Sequence, residues 1–270
     1  DSDEVVSRSG LAALTIMEDE QAGKSMTAML NEASSEEQAA LIKVLAARQY
    51  TEAQREILRV ASEGETEARQ AAFEALETLA RPELIGDVVG LMIESDGKAQ
   101  QMAGKVISSA ISRFPGESGM IEELKAGYQK TEDIQTRILI LDLLGRSGNT
   151  SGLALLQDAL ETGEVEERRA AVKALSQWPK ADPLEKLKET AGTDDDKVTR
   201  VLALRGYIDL IGRLASSERL KHYRTAMEMA ESDAEKRKIL SGVAALNSPG
   251  AVEFAEEYTG PKVTIFPTQI

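Results

Sequence analysis

The chain has 270 residues, of which 42% are hydrophobic and only 4% aromatic, with a formal charge of −14 and no cysteine. The length allows two compact domains, but the acidic balance argues against a reader of nucleic-acid phosphates, and the missing thiols exclude disulfides and thiolate metal sites. No apolar run approaches the roughly 18 residues of a membrane span, and a start at Asp1 without Met or a signal-like segment is expected of a processed product or a piece of something longer.

From the N-terminus onward one short pattern recurs. A long polar residue is followed three positions later by a small or aliphatic one, and then by an aliphatic pair. It reads Arg8/Leu11/Leu14, Gln38/Leu41/Val44-Leu45, Arg69/Ala72/Ala75-Leu76 and Gln100/Ala103/Val106-Ile107. It continues as Arg137/Ile140/Leu143-Leu144, Arg168/Ala171/Ala174-Leu175, Arg200/Ala203/Gly206-Tyr207 and, more loosely, Arg237/Leu240/Val243-Ala244. Successive starts are 30, 31, 31, 37, 31, 32 and 37 residues apart. A period of that size predicts stacked two-helix units: helix A, a short turn, helix B, then a loop.

The second helices carry their own apolar stripe. Ile57, Leu58, Val60 and Ala61 follow Thr51; Leu84, Ile85, Val88 and Val89 follow Pro82; Leu153, Leu155, Leu156 and Leu160 follow Thr150. Pro82, Pro115, Pro179, Pro183 and Pro249 fall in the A–B turns or at the start of helix B, where proline is tolerated. Asp182-Pro183 reads as an N-cap followed by proline at the first helical position, and Gly148-Asn149 punctuates the unit that lacks a turn proline. The acidic runs Glu36-Glu37, Glu65/Glu67, Glu132-Asp133, Glu164/Glu166-Glu167, Asp194-Asp195-Asp196 and Asp233/Glu235 sit where A helices begin, against the positive end of the helix dipole. No linker splits residues 1–260, which read as a single repeat array. Residues 261–270, with the strand-like run Val263-Thr264-Ile265-Phe266, read as a tail over the last repeat or the start of a linker to a further domain.

The segments "RRAAVKAL" (168–175) and "EARQAAFEAL" (67–76), each followed by a turn before helix B, resemble HEAT repeats of the short bacterial kind. Stretches 198–213 and 226–255 are similar to the C-terminal end of HEAT arrays in large bacterial envelope proteins. The resemblance implies an all-α, right-handed α-solenoid of about eight two-helix repeats, with the B helices lining the binding face. It implies a non-catalytic protein–protein interaction or scaffolding module, placed in the bacterial cell envelope or periplasm, the cytoplasm being the alternative. The partner would be a protein or other domains of the same complex, with no nucleic acid and no membrane insertion. The alternatives are a HEAT-fold enzyme, akin to bilin lyases or DNA glycosylases, and a structural spacer within a multidomain envelope protein. A glycosylase would need a basic face, against which the charge balance argues.

Physical reasoning gives the small residues and the recurring arginine structural tasks. Alanine lets helices approach to about 8–10 Å, while the arginine spans neighbouring units with its stem buried and its head solvated; the other use is a ladder of cation sites for an acidic partner.

Chemistry-bearing motifs are few. His222 is the only histidine, too few for a multi-histidine zinc site, and reads as a solvated helix residue. Ala22-Gly23-Lys24-Ser25 ends like a phosphate-binding loop, but position 18 is Glu18 and no strand precedes it. Asp194-Asp195-Asp196 lacks the alternating ligands, central glycine and closing glutamate of a calcium loop. Paired carboxylates for glycoside hydrolysis would be spatial, but the single Trp leaves few aromatic platforms for a sugar. No catalytic, cofactor-binding or metal residue is therefore assigned and no cofactor is expected. Trp178, beside Pro179, is the one candidate for partner binding; the same position suits a core plug at the turn.

Overall fold

The computed structural model describes Ala13 and residues 20–258. The first unit's Arg8, Leu11 and Leu14, the Glu18 position and the tail 261–270 lie outside the described residues.

Among the described residues the chain is all helix and turn, with no strand. Helix α1 (Glu20–Met29) is the B helix of the first repeat. Seven A–B pairs follow: α2 (Ser35–Ala47) and α3 (Gln54–Glu63); α4 (Thr66–Leu79) and α5 (Ile85–Glu94); α6 (Gly97–Arg113) and α7 (Ser118–Lys130); α8 (Ile134–Ser147) and α9 (Thr150–Thr162); α10 (Val165–Ser176) and α11 (Leu184–Thr193); α12 (Lys197–Ile211) and α13 (Ser216–Met229); α14 (Asp233–Ala244) and α15 (Pro249–Glu256). They group into two compact units that divide inside α9, after Gly152. In the first unit α2, α4, α6 and α8 each pack on the next, α3, α5 and α7 each pack on the A helix that follows, and α5 meets α7. In the second, α10, α12 and α14 pack in order, α11 and α13 pack on the following A helix, and α11 meets α13. Within each unit this is the stacking of a HEAT-like helical-repeat solenoid.

The acidic runs start the A helices, as their positions predict. In α2 the Glu37 carboxylate accepts from the Ser34 N–H at 2.8 Å while Ser34 Oγ accepts from the Glu37 N–H. The same reciprocal box opens α14 through Ser232 and Glu235, and α10 through Glu164 and Glu167. Asp133 and Asp196 cap α8 and α12 by accepting from the N–H groups of Thr136 and Thr199 at 2.7 and 2.8 Å. These bonds to the ionised forms hold Glu37, Asp133 and Asp196 below their usual carboxylate range; for Asp196 the largest contribution is its bond with Arg169. Gly148 ends α8 in the left-handed region at φ 58°, where a side chain would be strained. Asp182 does not cap α11: the helix opens at Leu184 with Pro183 as the flanking residue.

The apolar positions of the repeat face the core. Leu41, Ala72, Ala103, Ile140, Ala171 and Ala203 are buried, as are the pair residues from Val44-Leu45 through Ala174-Leu175 and Tyr207. The small residues permit close helix contact: a Cβ on Gly206 of α12 would lie 1.9 Å from Ser176 Oγ at the end of α10. The last repeat differs from expectation by one residue. Ile239 and Val243 are buried, while Arg237 and Ala244 are exposed. The repeat position is therefore Lys236/Ile239/Val243, with Lys236 four residues past the Ser232 cap, as in the earlier described A helices.

Candidate interaction surface

In the described repeats from Gln38 to Arg200 the long polar residue that opens the pattern stands four positions past the helix-A N-cap. There it points back to the chain just left by the preceding B helix. Gln38 Nε2 donates to Leu30 O at 2.8 Å, Arg69 Nη2 to Ser62 O at 3.4 Å, and Gln100 Nε2 to Met92 O and Ser95 O at 3.4 and 3.3 Å. Arg137 Nε donates to Thr131 O at 2.8 Å and lies over the Tyr128 ring, while Arg200 Nη1 donates to Asp194 O at 2.6 Å. A helix ends with carbonyls that have no partner within it, and this ladder supplies donors to those carbonyls or to the chain just beyond. Arg168 instead pairs with Asp194 at 3.4 Å. The expectation of solvated heads is thus corrected. Among the described residues the heads of Arg69, Arg137, Arg168 and Arg200 each meet backbone or an internal carboxylate.

The B helices of the first unit carry a groove of about 580 Å³. Its floor is Gly86 and Gly90 of α5 with the half-buried Leu58 and Leu91; its rim is charged, with Arg55, Arg59 and Glu63 on α3, Asp87 and Glu94 on α5, and Lys130 on α7. The two glycines stand one helical turn apart on the same side. Gly90 lies inside α5, where glycine costs about 1 kcal/mol against alanine. An added Cβ there would meet nothing within 4 Å. Packing within the chain therefore does not require the glycine, and its absent side chain keeps the α5 backbone open to the groove. Across the rim Arg55 pairs with Asp87 at 3.5 Å, and Arg59 is held by Glu56 at 3.2 Å, Glu63 at 3.4 Å and Asn31 at 2.5 Å. The rim carries three positive and three negative side chains, so it lacks the basic field a phosphate backbone needs.

The second unit holds a smaller cleft of about 310 Å³ bordered by Glu161, Lys186, Glu189, Arg168 and Asp194. Its charges satisfy one another. Lys186 sits between Glu161 at 2.5 Å and Glu189 at 3.2 Å, and Arg168 faces Asp194. Arg169 grips Asp196 with two bonds of 3.0 Å, so the Asp194–Asp196 run is spent on helix capping and on arginines. Among the described residues no cluster of histidine or carboxylate side chains could hold a metal ion.

Trp178, the candidate anchor, is fully buried and fills the core at the α10–α11 turn; it has no face to offer a partner. His222 is half-buried and not merely solvated, its Nδ1 lying 2.8 Å from the hydroxyl of buried Tyr207 across the α12–α13 pair. Burial and the charge of Glu185 push the Tyr207 phenol well above its ordinary range, which suits a structural hydrogen bond. Residues 22–25 lie inside α1, and a Cβ on Gly23 would strike the Tyr50 ring at 2.6 Å, so helix packing accounts for that glycine without a phosphate. The carboxylates with resolved shifts, Glu37, Glu122, Asp133 and Asp196, all move downward, away from the range of a general acid. Sequence reasoning missed the groove. Its only signal was Gly86 and Gly90, four apart, inside an otherwise strongly apolar B helix.

Residues 121–207, from α7 through α12, match the family model described as HEAT repeats. The 168–175 segment that carried the resemblance lies inside that span; the 67–76 segment lies outside it, in a helix of the same type. A search of curated proteins found no match to the chain. No helix among the described residues is long and apolar enough to cross a membrane.

Proposed function

We propose that this chain is a non-catalytic protein-interaction module that receives a partner segment in the α3–α5–α7 groove. The observation that carries the reading is Gly90. It is an interior helix glycine that its own fold does not need, and it opens the floor of a groove of about 580 Å³ on the B helices. A surface of fixed helices with a rim of both charges suits register-specific docking of a polypeptide, because a misplaced partner meets like charges. The HEAT-like repeat supports the same reading, since stacked helical units present extended binding surfaces. We further propose residence in the bacterial cell envelope, supported by the cysteine-free composition and by the likeness of residues 198–213 and 226–255 to envelope HEAT arrays.

The test is co-purification with the tagged full chain and with Gly90→Trp, which fills the floor without touching the core. A stoichiometric protein retained by the parent and lost by Gly90→Trp supports the reading. A partner retained equally by both places binding elsewhere and defeats it. In a gel-shift assay at physiological salt neither protein should bind duplex DNA; tight, salt-sensitive binding would point to the glycosylase alternative.

A further inference from the structure

Away from the groove, on the A–B turns of the first unit, two arginines meet at one aromatic ring. Arg81 lies two residues past the end of α4 and Arg113 is the last residue of α6, in successive repeats. Their guanidinium carbons lie 5.6 and 5.1 Å from the centroid of the Phe114 ring. Arg113 is fixed in place: it donates to Thr78 O and Ala80 O, both at 2.8 Å, at the end of α4. The chain at Arg81 is fixed too, its backbone N–H donating to Gln54 Oε1 at 2.9 Å. Each guanidinium has five N–H donors. The Arg81 head is exposed and donates to no protein acceptor, and Arg113 uses only two of its five.

Six other arginines of the described residues are matched by acid. Arg55, Arg59, Arg146, Arg168, Arg169 and Arg224 each face a carboxylate within 4 Å. Arg81 and Arg113 have no such partner, in a chain with 46 acidic residues against 32 basic ones. Partial burial, and after it the charge of Arg81, lowers the Arg113 pKa from its ordinary value. The bonds to Thr78 and Ala80 explain why Arg113 is present. They do not explain a second cation beside it. An anion between the two heads would remove the repulsion and take the unspent donors in the forked geometry that suits a carboxylate. The ring offers an apolar flank to the methylenes of a bound side chain. At physiological ionic strength charges are screened over about 8 Å, so this local pair outweighs the acidic field of the distant repeats.

We propose that Arg81, Arg113 and Phe114 form a docking point for a glutamate or aspartate side chain of an acidic peptide segment in a partner protein. The site does not depend on the α3–α5–α7 groove, and either can fail alone. The experiment is fluorescence anisotropy of a fluorescein-labelled hexaglutamate peptide titrated with the full chain at physiological salt. Saturable binding is expected, weakened about tenfold by Arg81→Gln through loss of one forked, charge-assisted contact, and weakened less by Phe114→Leu. Arg213→Gln removes the same charge from an exposed arginine of the second unit and should leave the affinity unchanged. Absence of saturable binding overturns the proposal, as does equal weakening by Arg81→Gln and Arg213→Gln, which would mark a net-charge effect. Displacement of the peptide by millimolar inorganic phosphate, with no displacement by equal acetate, would assign the pair to phosphate and also overturn it.

Discussion

Two stretches of the second unit use the same repeat with different results. Between α10 and α12 the chain is fastened at several points. Arg169 grips Asp196 through two 3.0 Å bonds, Arg200 reaches Asp194 O at 2.6 Å, Trp178 is fully buried, and Gly206 admits Ser176. From α13 to α15 the ties are exposed. Lys238 meets Asp209 at 2.8 Å and Arg224 meets Glu257 at 3.1 Å, each pair largely in water, where ion pairs contribute little. The ladder position there is Lys236, a point cation without the forked donor set of arginine, and its side chain makes no bond to a preceding carbonyl. Val252 and Tyr258 remain exposed. The comparison teaches that the repeat is secured by the bond between the fourth helix-A residue and the carbonyls behind it, and that apolar spacing alone gives a looser unit.

Substitutions should separate the two stretches by size of effect. Trp178→Ala empties a fully buried site and should cost about 3–5 kcal/mol in urea unfolding followed by circular dichroism, whereas Val252→Ala, at an exposed site, should stay within about 0.5 kcal/mol. Ala171→Leu should overpack the α10 core by about 1–3 kcal/mol, with exposed Glu166→Leu far smaller; equal and negligible effects would mean the register is wrong. Arg200→Ala should cost about 1 kcal/mol by leaving carbonyls unpaired, and Arg237→Ala less than half that. If the two match, the one-residue shift of the last repeat is mistaken.

The smallest effect is one of pH. Asp196 is held well below its unfolded range by Arg169 and Thr199, so its contribution is present above about pH 4, the unfolded carboxylate value. That contribution fades as pH falls toward the depressed folded value. Thermal melts of the parent and Asp196→Asn should therefore differ at pH 7 and converge as the pH falls from about 4 toward 2. A gap that persists at the acid end would deny the Arg169–Asp196 pair its stabilising role.

Much of this was legible in the sequence, for identifiable reasons. The 31-residue spacing, the turn prolines and the acidic helix starts are local signals, and each landed on the element it marked. The partners of the ladder were not legible, because Gln38 and Arg200 meet carbonyls whose positions depend on how one helix turns back on another. The last repeat misled because Lys236 and Arg237 are adjacent cations and Ile239 and Leu240 adjacent aliphatics, so the apolar pattern fits either frame. The Ser232–Glu235 capping box was the signal that decides between them, since it fixes Lys236 as the fourth helical residue. Trp178 was ambiguous because burial of a turn residue is decided by the neighbouring helices. Gly90, with Gly86, was a signal without a meaning, since an interior helix glycine is readable only once the space beside it is known.

Hydrogen–deuterium exchange of the full chain carrying Arg200→Ala tests the ladder most directly. Freed carbonyls at the α11–α12 junction should let amides of residues 190–200 exchange faster than in the parent, with α2 through α8 unchanged. Exchange that is unaltered at residues 190–200, or raised evenly along the whole chain, would contradict the claim that Arg200 fastens its repeat to the one before it.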